Sequence, residues 1–101
     1  MDTTVNFEPG RATLALSGRF DFNAHRMFRE ASESAVNQPE VREIHLDLGR
    51  VSYIDSSALG MLLMLRDKAR TAHKGVRIAN CAGSVREVLE IANFNKLFSM
   101  A

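Results

Sequence analysis

Residues 51–66 read VSYIDSSALGMLLMLR, and the expected fold is organised around this stretch. It places a carboxylate, Asp55, and two hydroxyls, Ser56 and Ser57, directly before an apolar run with helical spacing. Asp and Ser often start helices, because their side chains accept hydrogen bonds from the first free N–H groups. A single cap is enough for a helix. The stretch therefore leaves two polar side chains at the helix tip for another role, or for none.

The helix that follows has a buried face and an unusual exposed face. The 3.6-residue period predicts that one apolar stripe faces the core, and it comprises Ala58, Met61, Leu62, Leu65, Ala69 and Ala72. On the opposite face, Gly60 is flanked by Leu63 and Met64. Glycine inside a helix costs about 1 kcal/mol relative to alanine, so it needs a reason. That reason is either close packing within the chain or close approach of a partner to an exposed apolar patch.

Composition bounds the class of protein. The 101 residues, with a net charge of +1 and 46% apolar residues, are typical of one globular domain over residues 1–101. Near-neutral charge argues against nucleic acid or an anionic membrane as the main partner, since both favour a basic patch. No apolar stretch reaches the roughly 20 residues of a membrane span, so we expect no membrane insertion. The single cysteine, Cys81, and an N-terminus without an apolar run predict a reducing, cytoplasmic location.

Hydrophobic patterns along the chain predict the order β-β-α-β-α-β-α-α. The predicted strands are Thr4–Phe7, Ala12–Ser17, Ile44–Leu48 and Val76–Asn80. Strands separated by helices pair in parallel through right-handed crossovers, whereas the first two strands form an antiparallel hairpin. We therefore expect an α/β fold, a small four-stranded mixed sheet with one antiparallel edge strand, flanked by helices.

Helix boundaries are expected from capping chemistry. Asn23 is expected to cap the first helix, and Gly75 to stop the long helix that begins near Asp55. Ser84 and Glu87 have the spacing of a capping box for the following helix.

Gly18–Asn23 is expected as a loop before the first helix, and Gly49–Tyr53 leads from the third strand into the central helix. Asp21 follows the second strand and Asp55 follows the third. Functional loops gather at the carboxyl ends of parallel strands. If the two strands are neighbours, both carboxylates lie at the same edge of the sheet.

The chain offers little for catalysis or metal binding. None of the three histidines, His25, His45 and His73, stands at ligand spacing with another histidine or with cysteine, so we expect no metal and no cofactor. A serine nucleophile needs a positioned base, and His25 is the single candidate for Ser56, without a third group. Cys81 is interpreted as a small buried apolar residue. These patterns predict a binding module and no enzyme.

Ser56 and Ser57 suit phosphorylation, because they are hydroxyls at a helix start beside an apolar patch. A phosphate adds about −1.5 to −2 charges, and the free N–H groups and macrodipole of a helix N-terminus tolerate such charge. The alternative is that both serines serve as caps only.

The motif DSSALG at Asp55–Gly60, preceded by VSYI, resembles the signature of STAS domains, the anti-sigma factor antagonists. The segments Leu16–Asp21 and Asn93–Phe98 resemble the first conserved loop and the C-terminal helix of that family. The resemblance covers essentially the whole chain, and it implies the STAS fold, a β-sheet flanked by helices.

The resemblance implies a phosphorylation switch. Ser56, directly after Asp55, would be the phosphoacceptor, with Ser57 as the alternative. The unmodified domain would bind an anti-sigma factor with serine kinase activity and so release a sigma factor or another regulated target. A PP2C-type serine phosphatase would reset the switch.

Together with the exposed helix face, the resemblance gives a set of expected partner-binding residues: Asp21, Asp55, Ser57, Ala58, Gly60, Leu63 and Met64. Two positions depart from the family pattern and bear on partner choice. Ala58 stands where the family usually has glycine, and Arg19 stands where an acidic residue is common. The alternative function is that of a STAS accessory subunit of an ABC-type lipid transporter, which adjacent genes would distinguish.

Overall fold

The computed structural model of the protein describes residues 1–100. Its strands and helices are β1 (Asp2–Glu8), β2 (Arg11–Phe20), α1 (His25–Val36), β3 (Glu43–Ile54), α2 (Ser56–Thr71), β4 (Gly75–Ala79), α3 (Gly83–Ile91) and β5 (Ser99–Met100). Short 3₁₀ turns at Phe22–Ala24 and Phe94–Lys96 precede α1 and β5.

The strands form one mixed sheet in the order β1-β2-β3-β4-β5. β1 is antiparallel to β2, and the other neighbouring pairs are parallel. The expected α/β architecture with an antiparallel edge strand is therefore confirmed, but the expected count of four strands is too low. The fifth strand, Ser99–Met100, pairs with Arg77 and Ile78 of β4. Two residues are too few to show an alternating pattern, so this strand is defined by its partner alone.

The core lies between one face of the sheet and the helices. Leu14 of β2 stands opposite Leu46 of β3, and both side chains are fully buried. Phe20 of β2 meets Phe28 of α1, with ring centroids 5.0 Å apart. The predicted apolar stripe of α2 is buried except for Ala72, which is exposed. Burial of each large apolar side chain contributes about 1.5–3 kcal/mol, so this contact fixes how α2 is oriented on the sheet.

Strands β2 and β3 run further than the sequence predicts. The expected loop Gly18–Asn23 begins as strand, Gly49–Tyr53 belongs to β3 throughout, and pairing continues until Phe20 stands opposite Ile54. The register shifts on either side of Gly18, whose φ of +91° suits glycine. The longer pairing brings the residues that follow both strands side by side.

Three expected helix boundaries are wrong. Asn23 does not cap α1; its backbone N–H instead donates to the Asp21 carboxylate at 3.0 Å. His73, with φ of 60°, turns the chain at the end of α2, so Gly75 is free to begin β4. Ser84 lies inside α3, which has no side-chain cap. The residue that caps a helix depends on where the preceding strand or turn ends, and residue spacing alone does not fix that point.

Candidate functional site

Helix α2 begins with Asp55 as its cap. The backbone of Asp55 is extended, and its Oδ1 accepts a hydrogen bond from the Ala58 N–H at 2.9 Å. This bond satisfies one of the free donors of the first turn. The carboxylate therefore has the capping role, and neither Ser56 nor Ser57 is needed for it. The interpretation of the two serines as caps only is wrong.

The same carboxylate joins two strand-to-helix junctions. Oδ2 of Asp55 accepts from the Phe22 N–H at 3.3 Å, and the Asp55 N–H donates to the Phe20 carbonyl at 3.3 Å. Asp21, at the first junction, accepts from the Asn23 N–H at 3.0 Å. β2 and β3 are neighbours, so the expectation that Asp21 and Asp55 share one edge of the sheet is confirmed.

The two serines stand at the tip of α2 without partners among residues 1–100. Ser56 is exposed and Ser57 is half-buried. Neither hydroxyl has a hydrogen-bond partner there, and the backbone N–H groups of both residues also lack acceptors. Ser56 is thus open to solvent and to another protein. The free N–H groups can stabilise an anion at the same point.

Arg19 adds a positive charge to this edge. Its Nε lies 3.6 Å from Oδ2 of Asp21, and its guanidinium lies 4.0 Å from the centre of the Tyr53 ring. The Arg19 side chain remains 64% exposed, so these contacts orient the guanidinium without removing it from water. Arg19 therefore stands on the surface beside Asp21.

The exposed face of α2 continues from Ser56. A Cβ added at Gly60 would meet no atom within 4 Å, so close packing within residues 1–100 does not explain this glycine. Met64 is 50% exposed and Leu63 is half-buried. Ala58, in contrast, is fully buried and packs in the core, so its side chain is not available for a partner.

Phe22 was missed in the sequence analysis. It is 71% exposed, and its N–H is bonded to Asp55, so it stands beside the start of α2. Phe20, two residues earlier, is fully buried. The sequence signal was the pair of phenylalanines on either side of Asp21. Phe20 faces the core, whereas Phe22 lies past the end of the strand and does not.

The residues considered for catalysis and metal binding are not assembled into such sites. Within residues 1–100, no group of three His, Cys, Asp or Glu residues is placed to hold a metal ion. In the same range, His25 makes no hydrogen bond to Ser56. Cys81 is buried as expected, and burial raises the pKa of its thiol; Arg86 opposes this shift and Glu90 adds to it. A raised pKa disfavours the reactive thiolate.

From Met1 to Met100, no helix combines the length and the apolar character needed to cross a membrane.

Comparison with protein families identifies the class. A family model described as "Mlab, STAS domain" matches residues 3–99. The chain therefore belongs to the STAS domain family, and the expected family, fold and role as a binding module rather than an enzyme agree with this membership.

Two relatives are similar to this chain in sequence. A STAS-domain containing protein of Pseudomonas aeruginosa (strain UCBPP-PA14) is 46% identical over 89 residues, which cover 88% of this chain and 86% of that protein. BtrV of Bordetella bronchiseptica, provisionally named an anti-sigma factor antagonist, is 33% identical over 72 residues, covering 71% of this chain and 62% of BtrV.

Solved structures agree on the fold. The anti-sigma factor antagonist SpoIIAA of Bacillus, solved in unphosphorylated and phosphorylated forms, superposes with a TM-score of 0.76 and 20% identity in both forms. The match covers 99% of this chain and 87% and 91% of the two SpoIIAA chains. At this identity the likeness concerns the fold alone.

Proposed function

We propose that this chain is an anti-sigma factor antagonist whose partner binding is switched by phosphorylation of Ser56. The observation that carries the proposal is the exposed Ser56 hydroxyl, which has no hydrogen-bond partner within residues 1–100 and stands directly after the capping Asp55, at the head of the exposed face of α2. The names of BtrV and SpoIIAA, and the existence of a phosphorylated form of SpoIIAA, support it.

In the unmodified state, the partner covers the helix start and the surface around Gly60 and Met64. Gly60 presents no side chain, so a partner can approach the helix backbone closely there. Met64 supplies adaptable apolar contact area. Burial of the neutral Ser56 hydroxyl costs little if the partner provides a hydrogen bond.

Phosphorylation changes this surface while leaving the fold in place. A phosphate of about −1.5 to −2 charges would stand next to Asp55 and near Asp21. The free N–H groups of Ser56 and Ser57 stabilise it within the domain. A partner that covered it would have to desolvate a concentrated negative charge, which is expensive, so the partner dissociates.

The proposed partners follow from this cycle. The binding partner is an anti-sigma factor with serine kinase activity, which modifies Ser56 and thereby releases itself. A PP2C-type serine phosphatase removes the phosphate. The single, buried cysteine suits a reducing compartment, and the proposed location is the cytoplasm.

The test uses the Ser56→Ala variant as bait in lysate of the native cells, followed by purification of the retained kinase. That kinase and ATP are then added to the wild-type chain and to Ser56→Ala and Ser57→Ala variants, and the phosphate is located by mass spectrometry. We expect modification of the wild type and of Ser57→Ala, with none on Ser56→Ala.

Other results would redirect the assignment. Phosphate on Ser57, or on the Ser56→Ala variant, would contradict the role of Ser56. Retention of an ATPase or a permease in place of a kinase would support the transporter-accessory function instead.

A further inference from the structure

One exposed ridge of α2 runs from the proposed phosphoacceptor to the middle of the domain. Ser56, Gly60, Met64 and Lys68 follow each other at intervals of four residues, so they stack along one side of the helix. At 1.5 Å per residue the ridge is about 18 Å long. The missing side chain of Gly60 leaves a gap between Ser56 and Met64. A segment of another protein can lie against the helix along this line.

The far end of the ridge borders a groove between α1 and α2. Phe28, Met61 and Leu65 form its buried floor, and Arg29, Met64 and Lys68 stand at its rim. The groove is shallow, because its cavity volume is about 20 Å³ and the remaining space above its floor is open to solvent. Small-molecule pockets begin at about 300 Å³, so this groove is too small to enclose a metabolite or a lipid tail, and it suits a side chain that packs across its surface.

The rim of the groove is positively charged. No acidic residue lines the groove, and within residues 1–100 no carboxylate lies within 4.0 Å of the Arg29 guanidinium. Lys68 Nζ lies 3.5 Å from Oε1 of Glu33, and both side chains are well exposed, which makes a weak ion pair. Both cations are therefore available to carboxylates from outside the chain. Arg26, on the same helix as Arg29, does not line the groove, and its Nε lies 3.2 Å from Oε1 of Glu30.

We propose that this groove receives an acidic segment of the anti-sigma factor. One apolar side chain of that segment packs over the groove beside Met64, and its neighbouring carboxylates pair with Arg29 and Lys68. The inference rests on the proposed function, because the ridge that leads to the groove begins at Ser56. It also explains release by phosphate, since a segment rich in carboxylates is attracted at one end of the ridge and repelled by phosphoserine at the other.

The probe is the purified kinase retained by the Ser56→Ala variant. Its affinity for the wild-type chain without ATP is measured by calorimetric titration at low and at high salt, and compared with that of an Arg29→Gln/Lys68→Gln double variant. We expect about tenfold weaker binding of the double variant at low salt and a flatter salt dependence, because two charge contacts are lost. Arg26→Gln is the matched control on α1, and its affinity should stay within about twofold of the wild type.

The results separate the groove from the switch. If the double variant keeps wild-type affinity and salt dependence while Ser56→Asp still binds much more weakly than Ser56→Ala, the groove inference alone is overturned. Equal affinity of the Ser56→Ala and Ser56→Asp variants would overturn the proposed switch. Circular dichroism and thermal unfolding of each variant exclude misfolding as the cause. Met64→Ala is a second test of the groove, since it should weaken binding without changing the salt dependence.

Discussion

The two strand-to-helix junctions at the edge of the sheet have the same sequence logic and different structures. Each places an aspartate directly after a long parallel strand. Asp21 bonds within its own turn, to the Asn23 N–H, and its second oxygen has only the long 3.6 Å contact with Arg19. Asp55 uses both oxygens on backbone donors, from Ala58 and from Phe22 of the other junction.

This difference separates structural from functional residues. Asp55 holds the start of α2 and joins the two junctions. Ser56, which follows it, is therefore held in position although its own side chain takes no part in the cap. Asp21 holds only a short turn through one local bond. A surface that must accept a phosphate without unfolding needs a junction like that of Asp55 beneath it.

The largest expected effect is on partner affinity. Ser56→Asp should bind the anti-sigma partner roughly a hundredfold more weakly than Ser56→Ala, because like charges and desolvation at the contact cost about 3 kcal/mol. Both variants should retain native circular dichroism. Ser84→Asp is the matched control, since Ser84 is an exposed serine in the first turn of α3. Calorimetric titration decides; a similar loss for Ser84→Asp would mean that net charge, and not the position of Ser56, controls binding.

The next effect is on stability and compares the two aspartates directly. Asp55→Ala should lower the free energy of unfolding by about 2 kcal/mol, at the upper end for a lost cap, because two backbone donors lose their acceptor. Asp21→Ala should cost about 1 kcal/mol or less, since a single local bond is lost. Asp55→Asn keeps one acceptor oxygen and should fall between them. Urea denaturation measures all three, and equal losses for the two alanine variants would remove the distinction between the junctions.

The sequence predicted the class of fold because the apolar pattern is strong where the core is. Leu46 lies between the polar residues His45 and Asp47, and the predicted strand segments around Leu14 and Leu46 lie within β2 and β3. The pairing of Phe20 with Ile54 was not predictable, because it follows from a shift of register around Gly18 rather than from any periodicity. The short strand Ser99–Met100 was also not predictable, because it is defined by its pairing with β4 rather than by any periodicity.

The candidate site was predicted in part. The position of Ser56 at the tip of α2 followed from the residue types, whereas the second bond of Asp55 joins residues 33 apart in sequence and requires the folded sheet. The groove beside Met64 also depends on the packing of α1 against α2, which places Arg29 near Lys68. Side chains that meet only through tertiary packing leave no local signal.

A third prediction concerns the exposed face of α2. Gly60→Ala should stabilise the free domain by about 1 kcal/mol, because alanine favours the helix and the added Cβ meets no neighbour within residues 1–100. The same methyl group should weaken partner binding by filling the gap in the ridge. Thermal unfolding and calorimetric titration are run on one preparation. Greater stability with unchanged affinity would show that the partner does not approach at Gly60.

The smallest effect is expected at Arg19. Its contacts with Asp21 and Tyr53 are exposed, so Arg19→Gln should change the free energy of unfolding by no more than about 0.5 kcal/mol. Arg11→Gln is the control, since Arg11 forms a similarly exposed pair with Glu8 away from α2. If Arg19 faces the partner, its substitution should alter the association rate and its salt dependence, as charges at the edge of an interface do, whereas Arg11→Gln should leave both unchanged. Stopped-flow association at two salt concentrations measures this. A stability loss at Arg19 larger than that of Asp55→Asn would show that the first junction, and not the second, holds this edge of the sheet.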